Sequence, residues 1–295
     1  MVLLPAWLLA ATLAFYCGAG GSAAAPETPG AAVQAALNRL SEEAEIFIKN
    51  APSLVARETL RQRAVKTWLP SSRSRPRPPV YQQRVVVSEY GYASLAESPG
   101  VLHELRKVVS VDGRRILRAR EARTALTMGV TTPDDRLKQK LLRELESYGL
   151  SGAVTDFGPM ISLFSRAALP NYSFRLVRRE FIGAEQAIVL SYRQKDGGGL
   201  TIFENREALK LILQGEIWLR EPDFVPLKIT TLNERKHGGE KLRDEGAVEY
   251  TRTRHGVLVP ASVAHRQFRG STLVAENLFL YSEFGHLSAE PPFEK

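Results

Sequence analysis

EYTRTRHGVLVPASVAHRQF, residues 249–268, decides the fold. Val248 to Arg254 reads as a strand, His255-Gly256 as a tight turn, and Val257, Val259, Ala261 and Val263 as the return strand. Apolar residues two apart mark a chain with one buried and one open face, and a two-residue turn makes the pair antiparallel. The pattern continues outward in both directions. Downstream, Leu273 to Phe284 supplies another strand. Upstream, Leu227, Ile229 and Thr231 alternate, as do Leu211, Leu213, Ile217 and Leu219. Before them stand Tyr172–Phe181, Gln186–Arg193 and Leu200–Phe203, and His237–Lys241 reads as a loop. Earlier still, Val85 and Val87 alternate with Val86, Ser88 and Tyr90, and Leu102–Val111 meets Arg115–Ala119 across an Asp112-Gly113 turn.

Short turns thus join roughly eleven strands, and no strand–helix–strand unit repeats, so the sheet is expected to be antiparallel. A twisted sheet of about ten strands curls or splits rather than lying flat. The expected class is α+β: a large curled antiparallel sheet, a half-barrel, with N-terminal helices and a helical insertion on its concave side. The insertion spans 132–169. Thr132, Pro133 and Asp135 signal a helix start, Leu137, Leu141, Leu142 and Leu145 form its apolar stripe, and Gly149 stops it. A very apolar segment follows, with Phe157, Met160, Ile161, Leu163 and Phe164.

The first eighty residues read differently. Residues 1–25 hold a charge-free apolar run followed by small residues, the layout of a secretory signal peptide. The apolar run is about 15 residues, short of the roughly 20 that a spanning helix needs. A periplasmic or secreted protein is therefore expected. Cys17, the only cysteine, leaves with that segment, so neither disulfides nor thiolate chemistry are expected in the mature part. Residues 26–70 read as a helix pair. Leu37, Leu40, Ala44, Phe47 and Ile48 recur at helical spacing in the first helix, which Pro52 breaks. Leu54, Leu60, Ala64, Val65 and Trp68 mark the second. Residues 71–79, rich in Pro and Arg, form an extended joint before the sheet region 80–295.

The formal charge of +8 favours an anionic partner such as an acidic envelope surface, but the positive residues are scattered. The sequence supplies no site for common chemistries. None of the five histidines stands at metal-ligand spacing to another. No serine lies in a Gly-x-Ser-x-Gly elbow. Gly197–Gly199 follow Asp196 and precede no helix, which argues against a phosphate loop. Arg175, Arg178 and Arg179 stand among aromatic residues on one strand, but export makes nucleic acid an improbable partner. No catalytic residue, metal or cofactor is expected.

Two stretches carry a resemblance. GEIWLREPDFVPLKI, 215–229, resembles the strand–turn–strand of the periplasmic lipoprotein-carrier superfamily of half-barrels, and 249–268 resembles its following hairpin. The terminal SEF, 282–284, also fits. The resemblance implies an inner wall that takes acyl chains or other hydrophobic ligands. On that basis the expected function is non-catalytic binding or carriage of a hydrophobic or acylated ligand. The expected lining is Phe157, Met160, Ile161, Phe164, Leu211, Leu213, Ile217, Leu219, Leu227 and Ile229. The alternative is a structural or interaction module of the envelope whose concavity is permanently filled.

Overall fold

The computed structural model describes residues 29–67, 78–150, 157–195, 200–204, 207–237 and 240–287. The expected signal segment 1–25 with Cys17, residues 71–77 of the Pro/Arg joint and Gly197–Gly199 lie outside them. One sheet dominates. Its eleven strands are β1 (Leu54–Thr67), β2 (Val80–Leu95), β3 (Ser98–Val111), β4 (Arg114–Arg115), β5 (Tyr172–Ile182), β6 (Glu185–Gln194), β9 (Gln214–Arg220), β10 (Pro226–His237), β11 (Glu240–Arg252), β12 (Leu258–Arg269) and β13 (Thr272–His286). A separate two-stranded ladder holds β7 (Leu200–Glu204) and β8 (Glu207–Leu211). In space the order is β4-β3-β2-β1-β13-β12-β11-β10-β9-β6-β5, and neighbouring strands pair antiparallel. The sheet curls without closing, the half-barrel expected from the sequence.

Helix α1 (Pro29–Asn50) and a 3-10 helix at Gly158–Phe164 lie on the inner face. Helices α2 (Ala119–Thr131) and α3 (Asp135–Leu142) lie on the outer face, where Leu126 and Leu141 pack on Val55, Ala93 and Leu105. The helical insertion is thus split between the two faces, rather than sitting wholly on the concave side. The reason is visible in β3, whose Leu102, Glu104, Arg106 and Val108 face inward while Leu105 faces outward under α2. Both faces of that strand need cover.

The second N-terminal helix is corrected outright: Leu54–Thr67 is β1, in the middle of the sheet between β2 and β13. Leu60 and Ala64 are four apart, a spacing that suits a helix and a strand alike. The inward set is Ala56, Glu58, Leu60, Gln62 and Ala64, and the two buried polar members hide the period of two. The segment is also rich in Ala, Arg, Glu, Gln and Leu, which favour helix. Pairing on both sides overrides that preference. Two smaller corrections follow. Only Arg114–Arg115 returns from the Asp112 turn before α2 begins. The expected loop at 237–241 is the tip of a hairpin, with β10 running to His237 and β11 starting at Glu240.

Register organises the inner wall into rows. One runs through ten strands without a polar residue: Leu176, Leu190, Ile217, Ile229, Val248, Val263, Phe279, Leu60, Val86 and Val111. Polar residues flank this midline. To one side lie Thr231, His265, Asn277 and Gln62. To the other lie Tyr281, Glu58 and Ser88, then Tyr90 and Arg106.

Candidate functional site

The apolar midline is covered by two elements. Helix α1 turns Ala36, Leu40, Ala44 and Phe47 onto it, all fully buried, and the Phe47 ring meets Tyr92 edge-on at 5.4 Å. The 3-10 helix 158–164 buries Met160, Ile161 and Phe164. The Phe164 ring lies 5.0 Å from Tyr192 and 5.2 Å from Tyr172. Phe157, just before the helix, stacks on His265 at 5.1 Å, over the gap left by Gly246.

Of the expected lining residues, Phe157, Met160, Ile161, Phe164, Leu213, Ile217, Leu219 and Ile229 gather in one apolar cluster, each at most 3% exposed. Leu227 packs instead with Ala187, Val189 and Trp218 in a separate cluster. Leu211 ends β8 opposite Leu200, in the two-stranded ladder.

Residues that sequence reasoning passed over form the most unusual chemistry. Glu58, Glu104 and Arg106 meet on the inner wall, each at most 2% exposed. Arg106 Nε donates to both Glu58 carboxylate oxygens at 2.8 and 3.0 Å, and Nη2 donates to Glu58 at 2.8 Å and Glu104 at 2.9 Å. Tyr90 OH donates to Glu104 Oε1 at 2.7 Å, and so does the Gly158 N–H at 3.0 Å. A Cβ at position 158 would overlap the Glu104 carboxylate, so only glycine lets the 3-10 helix seat there.

Among the described residues, two carboxylates and one guanidinium leave a formal charge of −1 in a buried site. Burial pushes the Glu58 carboxyl above its ordinary range, opposed by the pull of Arg106. Burial and the nearby Glu104 push the Tyr90, Tyr92 and Tyr281 hydroxyls well up, so they stay protonated. Ser88 Oγ is buried beside them without a hydrogen-bond partner. The signal was in β3, where Glu104 and Arg106 stand at alternate positions between inward Leu102 and Val108.

A second polar group lies across the midline. Gln62 donates to Asn277 at 2.8 Å, and Asn277 Nδ2 lies 3.2 Å from His265 Nδ1. His265 Nε2 faces Asp244 Oδ1 at 3.5 Å, and Gln267 and Arg235 donate to Asp244 at 3.1 and 2.5 Å. Burial works to raise the Asp244 carboxyl, but His265, Arg235 and Gln267 together hold it below the usual range. Both ring nitrogens of His265 face protein groups, and the ring face is under Phe157. That geometry fits a structural tie better than a general base, which needs a lone pair aimed at a reacting proton. Among the described residues, no three His, Cys, Asp or Glu side chains gather as metal ligands, and no helix is long and apolar enough to cross a membrane.

No family model matches the chain, and no curated protein is similar to it. Among solved structures, a DUF1329 family protein from Desulfovibrio piger is similar at 9% identity, over 86% of this chain and 93% of that one. Its TM-score is 0.36, a likeness too low to carry any inference about this chain.

Proposed function

We propose that the protein is a non-catalytic exported carrier or binder of a hydrophobic or acylated ligand, with α1 occupying the ligand's place in the resting form. The observation that carries this is the ten-strand apolar row covered by a helix with a slight grip. The fully buried apolar side chains of α1 are Ala36, Leu40, Ala44 and Phe47, beside the nearly buried Ala32. At about 0.8 kcal/mol per buried methyl and about 1.5–3 for each large side chain, their burial contributes about 5–8 kcal/mol. An acyl chain burying about fourteen methylenes at about 0.8 kcal/mol each would gain about 11. The partly buried Val33, Leu37 and Ile48 of the same helix bring its total to the same order, so an acyl chain competes with α1 on comparable terms. Polar ties from α1 to the rest are few: Glu43 accepts from Arg252 at 2.5 Å, and Glu45 accepts from the Arg166 N–H at 3.1 Å. The short 3-10 turn Ala51–Ser53 joins α1 to β1 and offers a hinge.

One observation favours the alternative, a structural module with a permanently filled trough. Helix α1, the 3-10 helix and the midline form a single contiguous apolar cluster. Titration with a fluorescent fatty acid separates the two, together with mass spectrometry of solvent-extracted protein. Phe47→Ala weakens the helix's hold and is expected to tighten probe binding. No probe binding by either chain, with no lipid extracted, would leave the structural module standing.

A further inference from the structure

The fold gathers charge in one place. From β4 through the end of α3, residues 114–143 carry nine basic and three acidic side chains, so six of the chain's eight net positive charges lie in this segment. Helices α2 and α3 meet where Leu141 packs against Gly129. Leu126 and Leu141 point down onto the sheet, which leaves the opposite faces of the pair to solvent. Arg120 and Met128 are exposed on α2. Arg136, Lys140 and Arg143, four and three residues apart, are exposed along one face of α3. Arg115 is exposed on the same side of the sheet: Val111 faces inward, so its neighbour Ser110 and the opposed Arg115 face outward.

None of these five cations makes an ion pair among the described residues. The three acids of the segment are engaged elsewhere. Glu121 accepts the Arg118 N–H at 3.2 Å and Asp134 the Arg136 N–H at 2.9 Å. Asp135 accepts from the Ala96 N–H at 2.7 Å and from Lys138 at 3.3 Å. Further round the outer face the arginines are matched: Arg178 meets Glu216, and Arg266 meets Glu276.

The composition of this face selects its occupant. Residues 114–143 include no aromatic ring, so nucleic-acid bases find no stacking platform. Only two large apolar side chains are exposed there, Ile116 at 39% and Met128 at 60%. Two are too few for the apolar core of a protein interface of about 1,600 Å². A bilayer with acidic headgroups demands neither feature. It offers a plane of negative charge that attracts each nearby Lys or Arg, and below it an apolar layer that a single Met can enter. We propose that the outer face of the α2–α3 pair docks the protein on the surface of an anionic lipid bilayer. The five cations meet headgroup phosphates, and Met128 enters the acyl boundary. The docking uses only this face and holds whether or not the trough takes a ligand.

The test sediments the full chain with vesicles of phosphatidylcholine alone, or with about 30% phosphatidylglycerol, in about 0.1 M salt. Binding is expected to the anionic vesicles only, and it should weaken as salt rises. At about fivefold per cation removed, Arg136→Gln/Lys140→Gln/Arg143→Gln should weaken it about a hundredfold. Met128→Ser should weaken it as well. Arg175→Gln/Arg193→Gln/Lys195→Gln removes the same charge from exposed positions at the far end of the sheet, and should cost less than about threefold. Four results would each overturn the proposal: no binding to anionic vesicles, equal losses in the two triple variants, full affinity in Met128→Ser, or capture by soluble polyphosphate with the vesicles left bare.

Discussion

Replacing Arg106 with Met is expected to be among the most damaging single changes in the protein, and the damage should depend on pH. The substitution keeps a long, flexible apolar stem and removes three hydrogen bonds to Glu58 and one to the Glu104 carboxylate. Two carboxylates then share a buried site without the Arg106 guanidinium. Breaking a buried ion pair from one side costs about 3–5 kcal/mol. For a chain of this size that corresponds to a fall in Tm of about 6–20 °C.

The pH dependence follows from the direction of the Glu58 shift. Its folded pKa is raised above the ordinary value of 4.5, with burial as the main cause and Arg106 opposing it. Such a group stabilises the fold fully below its unfolded pKa and loses that contribution as pH rises through the folded pKa. Removing Arg106 strips away the opposing influence, so the upward shift grows. The loss should be largest at pH 7 and shrink towards pH 4. Urea unfolding followed by circular dichroism at about pH 7, 5.5 and 4 measures this, with Arg106→Met/Glu58→Gln as the partner chain. The double variant has one carboxylate fewer and should recover much of the loss at pH 7. A loss under about 1 kcal/mol at pH 7, the worth of a surface pair, would refute the reasoning. So would a loss that stays constant on acidification.

Further outcomes are expected elsewhere. Gly158→Ala places a methyl group into the Glu104 carboxylate and the Tyr90 hydroxyl; it should cost about 1–3 kcal/mol and speed hydrogen exchange across 158–164. Asp244→Asn removes a carboxyl held below its ordinary 3.8, whose contribution is present above that value and lost as pH falls through the lowered one. The variant should be less stable than wild type at pH 7, and equilibrium unfolding should show the gap closing below about pH 3.8. Phe47→Ala should lower thermal stability by about 3–5 kcal/mol while strengthening fatty-acid binding, a pairing that scanning calorimetry and probe titration can read on one preparation.

How far the sequence discloses this molecule depends on which side chains sit on the inner wall. Where they are apolar, the pattern is plain. The strands from β9 to β12 announce themselves through Ile217, Leu219, Ile229, Val248 and Val263, and α1 through its helical stripe. Where the wall is polar, the pattern fails. Glu58 and Gln62 occupy inward positions of β1, so the alternation that marks a strand is absent and the helix-prone composition misleads. Glu104, Arg106, Asp244 and His265 look like ordinary surface residues until the sheet curls and the register brings them inward. Helix α2 was hidden for a related reason: Arg118, Arg120, Glu121 and Arg123 make its start look solvated, although Arg123 is buried, donating to Glu89 at 2.5 Å. The apolar half of the candidate site was therefore legible from residue type alone. The charged half needed three-dimensional pairing, because Arg106 and Glu58 lie on strands far apart along the chain.

The pairing of β1 with β13 ties synthesis to assembly. Leu54 stands beside His286, so the second neighbour of β1 arrives only once β13 has been made. Each doubling of the span to be closed costs roughly 0.6 kcal/mol of chain entropy, and this span is among the longest the molecule contains. A product that stopped short of residue 272 would fall into two unconnected sheets, β4 to β1 and β12 to β5, with two raw edges where the seam belongs. Glu58 would lose the Tyr281 side of its surroundings, and Arg106 the ring of Phe279. The β1 side of this seam therefore stays open until β13 has been made.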